Sequence, residues 1–205
     1  MSDQEIIERV QKNVDSPTIS TDTGLAAARQ IGDIAEAESV EWALCGGIAM
    51  YLYGSARLTK DVDIIASGNV SLKEDAPLTF GGSNYTVEIG KYKVAVDWIV
   101  RSDGYARYYQ KALAEAVSFP NGFQLISPEW LLILKMFAGR QKDYDDGVFL
   151  LGEKGLVNRP QVKENIVSVT GVDAWLATMA NFRRLCNLAD GKTSEPGKYF
   201  ANSEN

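Results

Sequence analysis

The segment that most constrains the fold is WALCGGIAMYLYGSARLTKDVDIIA, residues 42 to 66. It joins two apolar runs. The first ends on Gly46-Gly47, and the second opens with Asp61 and Asp63 alternating with valine and isoleucine. Side chains alternate faces along a strand, so Asp61 and Asp63 point the same way and Val62 points the other. Their backbones lie roughly 7 Å apart by strand rise. Unpaired carboxylates so placed repel each other, which raises one pKa. A divalent cation removes that penalty, and Mg²⁺ takes one or two carboxylates together with substrate phosphates.

A bare D-x-D is a weak signal, and context has to separate instances. The second one, Asp143-Tyr144-Asp145, sits in a helical pattern, where residues two apart diverge. Only Asp61/Asp63 opens an apolar strand soon after a strand, a double glycine and a helix. Asp97 adds a third acid, buried between Val96 and Trp98 on a strand expected to neighbour the first. A buried acid is costly unless a cation or good hydrogen bonds answer it. The bland alternative is an arginine or backbone-amide partner.

The glycines fit the same picture. A strand that ends in Gly-Gly before a helix lets backbone N–H groups approach a phosphate closely. A simple tight turn is the default reading of Gly-Gly alone. Ahead of a D-x-D strand the pair is more specific, with phosphates on Gly46 and Gly47 and metals bridging them to the aspartates. Such two-metal sites hold ions about 3.5 to 4 Å apart.

The 205 residues contain no histidine, which excludes Ser-His-Asp and Cys-His catalysis and imidazole-bound zinc. Chemistry must then use carboxylates, lysine, hydroxyls or an oxygen-bound metal. A net charge of −6 argues against an extended nucleic-acid surface or an anionic-membrane surface. No run reaches the roughly 18 to 20 apolar residues of a membrane span. The charged start, MSDQEIIERVQKNVD, is not that of a secretory signal. Cys45 and Cys186 are expected as buried free thiols in a reducing cytoplasm.

Along the chain, three-four apolar spacing predicts helices over 3–14 and 23–37, the second capped from Thr21, Asp22 or Thr23. Strands are expected at 41–45 and 61–66, with the intervening helix IAMYLYG ended by Gly54. Residues 85–90 and 93–100 read as paired strands around Gly90 and Lys91. A helix over 105–116 and a short strand over 123–127 follow. From Pro128 the pattern is all-helical: PEWLLILKMFAGRQ, KDYDDGVFLLGEKG, RPQVKENIVSV and VDAWLATMANFRRLCNLA. The expected organisation is an α/β (α+β) core over 1–127, a helical region over 128–190 packed on it, and a polar tail over 191–205.

GGIAMYLYGSARLTKDVDIIA resembles motif I of the nucleotidyltransferase superfamily related to DNA polymerase beta. SPEWLLILKMFAGRQKDYDDGVFLL is similar to a lysine-bearing helix and following K-D-x-x-D helix in AbiEii-type abortive-infection toxins. The likeness covers residues 42 to 151. It implies a mixed sheet flanked by helices, NTP (ATP among the candidates) with Mg²⁺ or Mn²⁺, and transfer of a nucleoside monophosphate to a hydroxyl. It also implies a role for each matching residue. Gly46 and Gly47 match the phosphate-binding turn, and Arg57 and Thr59 complete the nucleotide-binding motif. Asp61 and Asp63 match the metal ligands, and Asp97 matches the third acid, which helps activate the acceptor. Lys135 matches the triphosphate-binding lysine and Asp146 the acid after it, with Asp143 a neighbouring candidate. Gly47 stands where many members carry serine, which removes one phosphate hydrogen bond.

Each remaining candidate has a plainer reading. Lys135 could snorkel from a buried helix, and the KDYDD acids are favoured near a helix N-terminus anyway. Arg57 reads as an orienting partner for the aspartates. Trp42, Tyr51, Tyr53 and Trp98 read as core packing rather than base stacking, and Arg183 and Arg184 as a solvated face. Three functions remain open. One is a Mg²⁺-dependent nucleotidyltransferase acting on a protein, an RNA end or a small molecule. The others are a catalytically inactive nucleotide- or partner-binding module, and a toxin-like component with an antitoxin partner.

Overall fold

The computed structural model describes residues 19–119 and 122–192. The helix expected over 3–14 lies outside them, as does the tail beyond Lys192. The chain divides into two compact units, Met1–Ser127 and Pro128–Asn205. Among the described residues there are seven strands and seven helices.

The first unit is built on one mixed seven-stranded sheet. Its strands are β1 (Trp42–Cys45), β2 (Asp61–Ala66), β3 (Ala76–Pro77), β4 (Gly82–Ile89), β5 (Tyr92–Ile99), β6 (Val117–Ser118) and β7 (Gln124–Leu125), in spatial order β3-β4-β5-β2-β1-β7-β6. Two neighbouring pairs are parallel, β2 with β5 and β1 with β7; the other four are antiparallel. The mixed sheet expected of the resemblance is therefore present. β4 and β5 form the expected hairpin, with Gly90 (φ +59) at the first central position, where a tight two-residue turn requires positive φ.

Helix α1 (Thr21–Ala37) packs on β1, β2, β4 and β5. It buries Gly24, Ala27, Ala28, Ile31, Gly32 and Ala35, an apolar stripe at helical spacing. Its cap is Ser20 rather than the expected Thr21–Thr23, because the Ser20 hydroxyl accepts from the Thr23 N–H at 3.2 Å. Gly32 lets the helix close on the sheet: a Cβ there would stand 2.2 Å from the Trp42 ring.

Helix α2 (Gly46–Leu52) begins directly after β1, two residues before the expected start. Gly54, at φ +98, follows its end and donates to Tyr51 O at 2.8 Å. Helix α3 (Ala106–Ala114) packs on β2. β4 begins at Gly82 rather than Tyr85. At Gly81 and Gly82, with φ +105 and +93, a Cβ would lie 2.3 Å from Val100 O and 2.0 Å from Trp98 O. Glycine here allows strand-to-strand approach rather than marking a loop.

The second unit contains α4 (Pro128–Ala138), α5 (Gln141–Gly152), α6 (Arg159–Thr170) and α7 (Val172–Ala189). Every residue of α4 from Trp130 to Met136 is buried, as a central helix requires. It packs on α5 and α6, and α7 also packs on both. Gly147 brings α5 against Leu132 and Leu185. Gly171, at φ +87, is the single-residue joint between α6 and α7. No described helix is long and apolar enough to cross a membrane.

Candidate functional site

β2 carries the first two acids as its alternation dictates. Asp61 and Asp63 are half-buried, while Val62, Ile64 and Ile65 are buried. β5 runs parallel beside it with Asp63 opposite Asp97 and Asp61 opposite Ala95. Residues directly opposite across a ladder share a face, so three carboxylates stand on one side of the sheet. Cys45, paired with Asp63 from β1, ends the neighbouring strand at the same level. Asp97 is half-buried rather than buried. Val96 and Trp98 turn into the core on the opposite face, which leaves Asp97 on the face of the other two acids.

Each carboxylate accepts from a neutral donor. The Thr59 hydroxyl bonds Asp61 Oδ1 at 2.9 Å, and the backbone of Thr59 is itself held by Ile19 N–H at 3.0 Å. The Gly47 N–H donates to Asp63 Oδ2 at 3.2 Å. Asn84, opposite Asp97 on β4, donates its side-chain amide to Asp97 Oδ1 at 2.7 Å. Among the described residues no three His, Cys, Asp or Glu side chains gather closely enough to hold a metal ion.

The glycines make this arrangement sterically possible. Gly46 has φ +58, and a Cβ on it would fall 1.8 Å from Asp63 Oδ2. A Cβ on Gly47 would fall 2.4 Å from Thr59 Oγ1 and 3.3 Å from Arg57 Nη2. The space a side chain would need at the Gly-Gly turn is thus taken by Asp63, Thr59 and Arg57. Arg57 Nη1 also donates to Leu58 O at 3.3 Å.

The second cluster lies in the helical unit. Lys135 is 7% exposed, so it does not snorkel. Its Nζ lies 2.7 Å from Asp146 Oδ2 and 3.1 Å from Asp143 Oδ1, and both acids are buried. Arg140 Nε donates to Asp143 Oδ2 at 2.6 Å, and the Arg140 backbone N–H reaches the same oxygen at 3.3 Å. Two cations thus answer two carboxylates. Burial alone would push the Asp143 carboxyl up; the Arg140 hydrogen bond and the Lys135 charge outweigh it and hold the group below the ordinary carboxylate range. Asp145, by contrast, is exposed and accepts from Gln141, so the two acids of the second D-x-D diverge as expected.

Trp42 and Trp98 are core residues, with Trp98 Nε1 donating to Gly68 O at 2.8 Å. The Tyr53 hydroxyl donates to Ile126 O at 2.7 Å, whereas Tyr51 is 48% exposed. Arg183 and Arg184 are exposed. Sequence reasoning missed three residues. Asn84 is identifiable only from the β4–β5 register. Arg101 and Tyr109 are joined by an Nη1–Oη hydrogen bond of 3.1 Å. Burial, with the charges of Cys45 and Asp63 adding to it, pushes the Tyr109 phenol up to about 12.

No protein-family model matches the chain, and no curated protein matches it. Among solved structures the chain is similar to an antigenic nucleotidyltransferase-like protein from Paracoccidioides brasiliensis. That match has 19% sequence identity and a TM-score of 0.49, and covers 86% of this chain and 96% of the other.

Proposed function

We propose that the protein is a metal-dependent nucleotidyltransferase that moves a nucleoside monophosphate from NTP to a hydroxyl acceptor. The observation that carries this reading is the in-register placement of Asp63 and Asp97, with Asp61 on the same face, beside the Gly46-Gly47 turn. A donor set of carboxylate oxygens alone suits Mg²⁺ or Mn²⁺, and Asp61, Asp63 and Asp97 are the residues that would hold it. Bound there, the metal supplies charge neutralisation at phosphoryl oxygens.

The chain's own residues then divide the work. Thr59 orients Asp61 and Asn84 orients Asp97 through the hydrogen bonds described above. Asp97 takes the proton of the acceptor hydroxyl as its oxygen attacks the α-phosphorus, and the bond to pyrophosphate breaks. Gly46, Gly47 and Arg57 are the proposed phosphate-binding residues, and the Gly47 N–H reaches a phosphate only by leaving Asp63 Oδ2. The resemblance assigns Lys135 and Asp146 to nucleotide binding. Lys135 meets a triphosphate only by exchanging two carboxylate partners, so stability measurements on that pair weigh the role.

The acceptor class is a protein hydroxyl, an RNA 3′ end or a small hydroxylated molecule. A toxin-like role with an antitoxin partner is proposed on the same activity. Incubation with each labelled NTP and Mg²⁺ or Mn²⁺ in cell extract should label one of the three acceptor classes, and Asp61→Asn should abolish the label. Nucleotide binding with no labelled product would favour the inactive binding module instead.

A further inference from the structure

Residues 53–60, between α2 and β2, belong to no helix or strand. Leu58 and Lys60 are exposed, yet Thr59 between them is buried. The Thr59 hydroxyl reaches Asp61 Oδ1 at 2.9 Å and the Asp61 backbone oxygen at 3.1 Å, so it ties the carboxylate to its own backbone. Among the described residues the Ile19 N–H, 3.0 Å from Thr59 O, is the one backbone donor to Thr59. The two residues form an isolated antiparallel bridge. A printed series of contacts thus runs from Ile19 through Thr59 to the first candidate acid.

Ile19 is itself fixed by the first turn of α1. Its neighbour Ser20 caps that helix, and Ser20 O accepts from the Gly24 N–H at 2.9 Å. A Cβ on Gly24 would stand 2.8 Å from Ile48 Cδ1 and 3.1 Å from Ile19 Cδ1. Glycine at 24 therefore lets α1 close on both side chains at once. Ile48 directly follows Gly47, so the same turn of α1 touches both the residue that anchors Thr59 and the helix that carries the glycine turn. The Ile19 side chain serves this packing, and its N–H serves Thr59. A staple for chain entry needs the side chain alone.

We infer that Ile19 is a positioning residue for Asp61, acting through its backbone amide on Thr59, so that the segment entering α1 is part of the candidate site. The inference rests on the nucleotidyltransferase reading. Ile19→Pro removes the N–H, which frees the Thr59 backbone and with it the hydroxyl that holds Asp61. Calorimetry with Mg²⁺ and α,β-methylene-ATP should show about a fivefold loss of affinity, the scale of one hydrogen bond of ordinary net strength. Thr59→Val should cost a similar factor, and adding Ile19→Pro to it should cost nothing further, the non-additivity expected of groups acting in series. Ser20→Ala uncaps α1 and keeps the Ile19 N–H, so it should lower the melting temperature and leave the affinity unchanged. Should Ile19→Pro fail to fold, an amide-to-ester exchange at Ile19, which removes only the N–H, takes its place in the cycle.

Unchanged affinity on loss of the Ile19 N–H would overturn the inference and leave the nucleotidyltransferase reading standing. Additive losses in the double variant would also overturn it, since Ile19 would then act by a route other than Thr59. So would an equal loss of affinity in Ser20→Ala, which would reduce the bridge to a support for α1. If the wild-type chain bound no nucleotide with Mg²⁺, the nucleotidyltransferase reading itself would fall, and this inference with it.

Discussion

Asp63 on β2 and Asp97 on β5 stand opposite each other in parallel register, two acids on neighbouring central strands of one sheet. Like charges directly opposite across a ladder destabilise a sheet. The fold nevertheless spends a Gly-Gly turn, a threonine and an asparagine on orienting these acids and Asp61. On the reading proposed above, that outlay serves a site rather than a scaffold.

Replacing either strand acid should separate activity from stability. Asp61→Asn and Asp63→Asn each relieve carboxylate repulsion, so metal-free melting temperatures should be unchanged or higher. Transfer of labelled nucleotide should be lost in both. Full activity in either variant would remove the metal-ligand assignment.

The glycine turn offers a finer test. Gly46→Ala adds left-handed strain of about 1–2 kcal/mol and drives a methyl into the Asp63 carboxylate. Gly90→Ala has a similar φ of +59 with open space around it. Both should lower the melting temperature, but only Gly46→Ala should impair Mg²⁺-dependent nucleotide binding. Equal binding by the two variants would show that the approach of Asp63 to Gly46 does not matter.

Lys135 should behave as the centre of a buried ion cluster. Lys135→Met leaves Asp146 and Asp143 buried without it, and losing one partner of a buried pair costs about 3–5 kcal/mol. Chemical denaturation should show a loss of that order. A variant of normal stability with a raised Km for NTP would instead identify Lys135 as the triphosphate lysine.

The same cluster sets an acid limit. Asp143 is held below its ordinary range in the folded chain. The stability it contributes is fully present above the unfolded carboxyl value of about 3.9 and is lost as pH falls through the lower folded value. Arg140→Ala removes the hydrogen bond that most lowers the Asp143 carboxyl, so acid unfolding followed by circular dichroism should move to higher pH. An unmoved acid midpoint would mean that Asp143 is not coupled to Arg140.

How much of this was legible in the sequence follows from how local each feature is. DVDIIA was bounded correctly at 61–66 and α7 at 172–189, because alternation and three-four spacing are properties of the segment itself. The two-residue strands β3 and β6 carry no alternation and are exposed, so nothing in the residues announces them. β7 is two residues long where five were expected, since its extent depends on the partner strand β1. Asn84 became a partner of Asp97 only through the hairpin register, and Lys135 met its acids only once α4 and α5 had packed. Arg101 and Tyr109 escaped notice for the same reason, as their contact joins a loop to a helix face.

The central claim, that the three aspartates face a nucleotide through metal, is tested most directly by calorimetry with a non-hydrolysable NTP, with and without Mg²⁺. Without metal the carboxylates oppose the phosphates in a half-buried setting, where like charges are costly. The account predicts that Mg²⁺ raises affinity at least tenfold, about 1.4 kcal/mol. Equal affinity in the two conditions would mean that Asp61, Asp63 and Asp97 do not meet the nucleotide, and would contradict it.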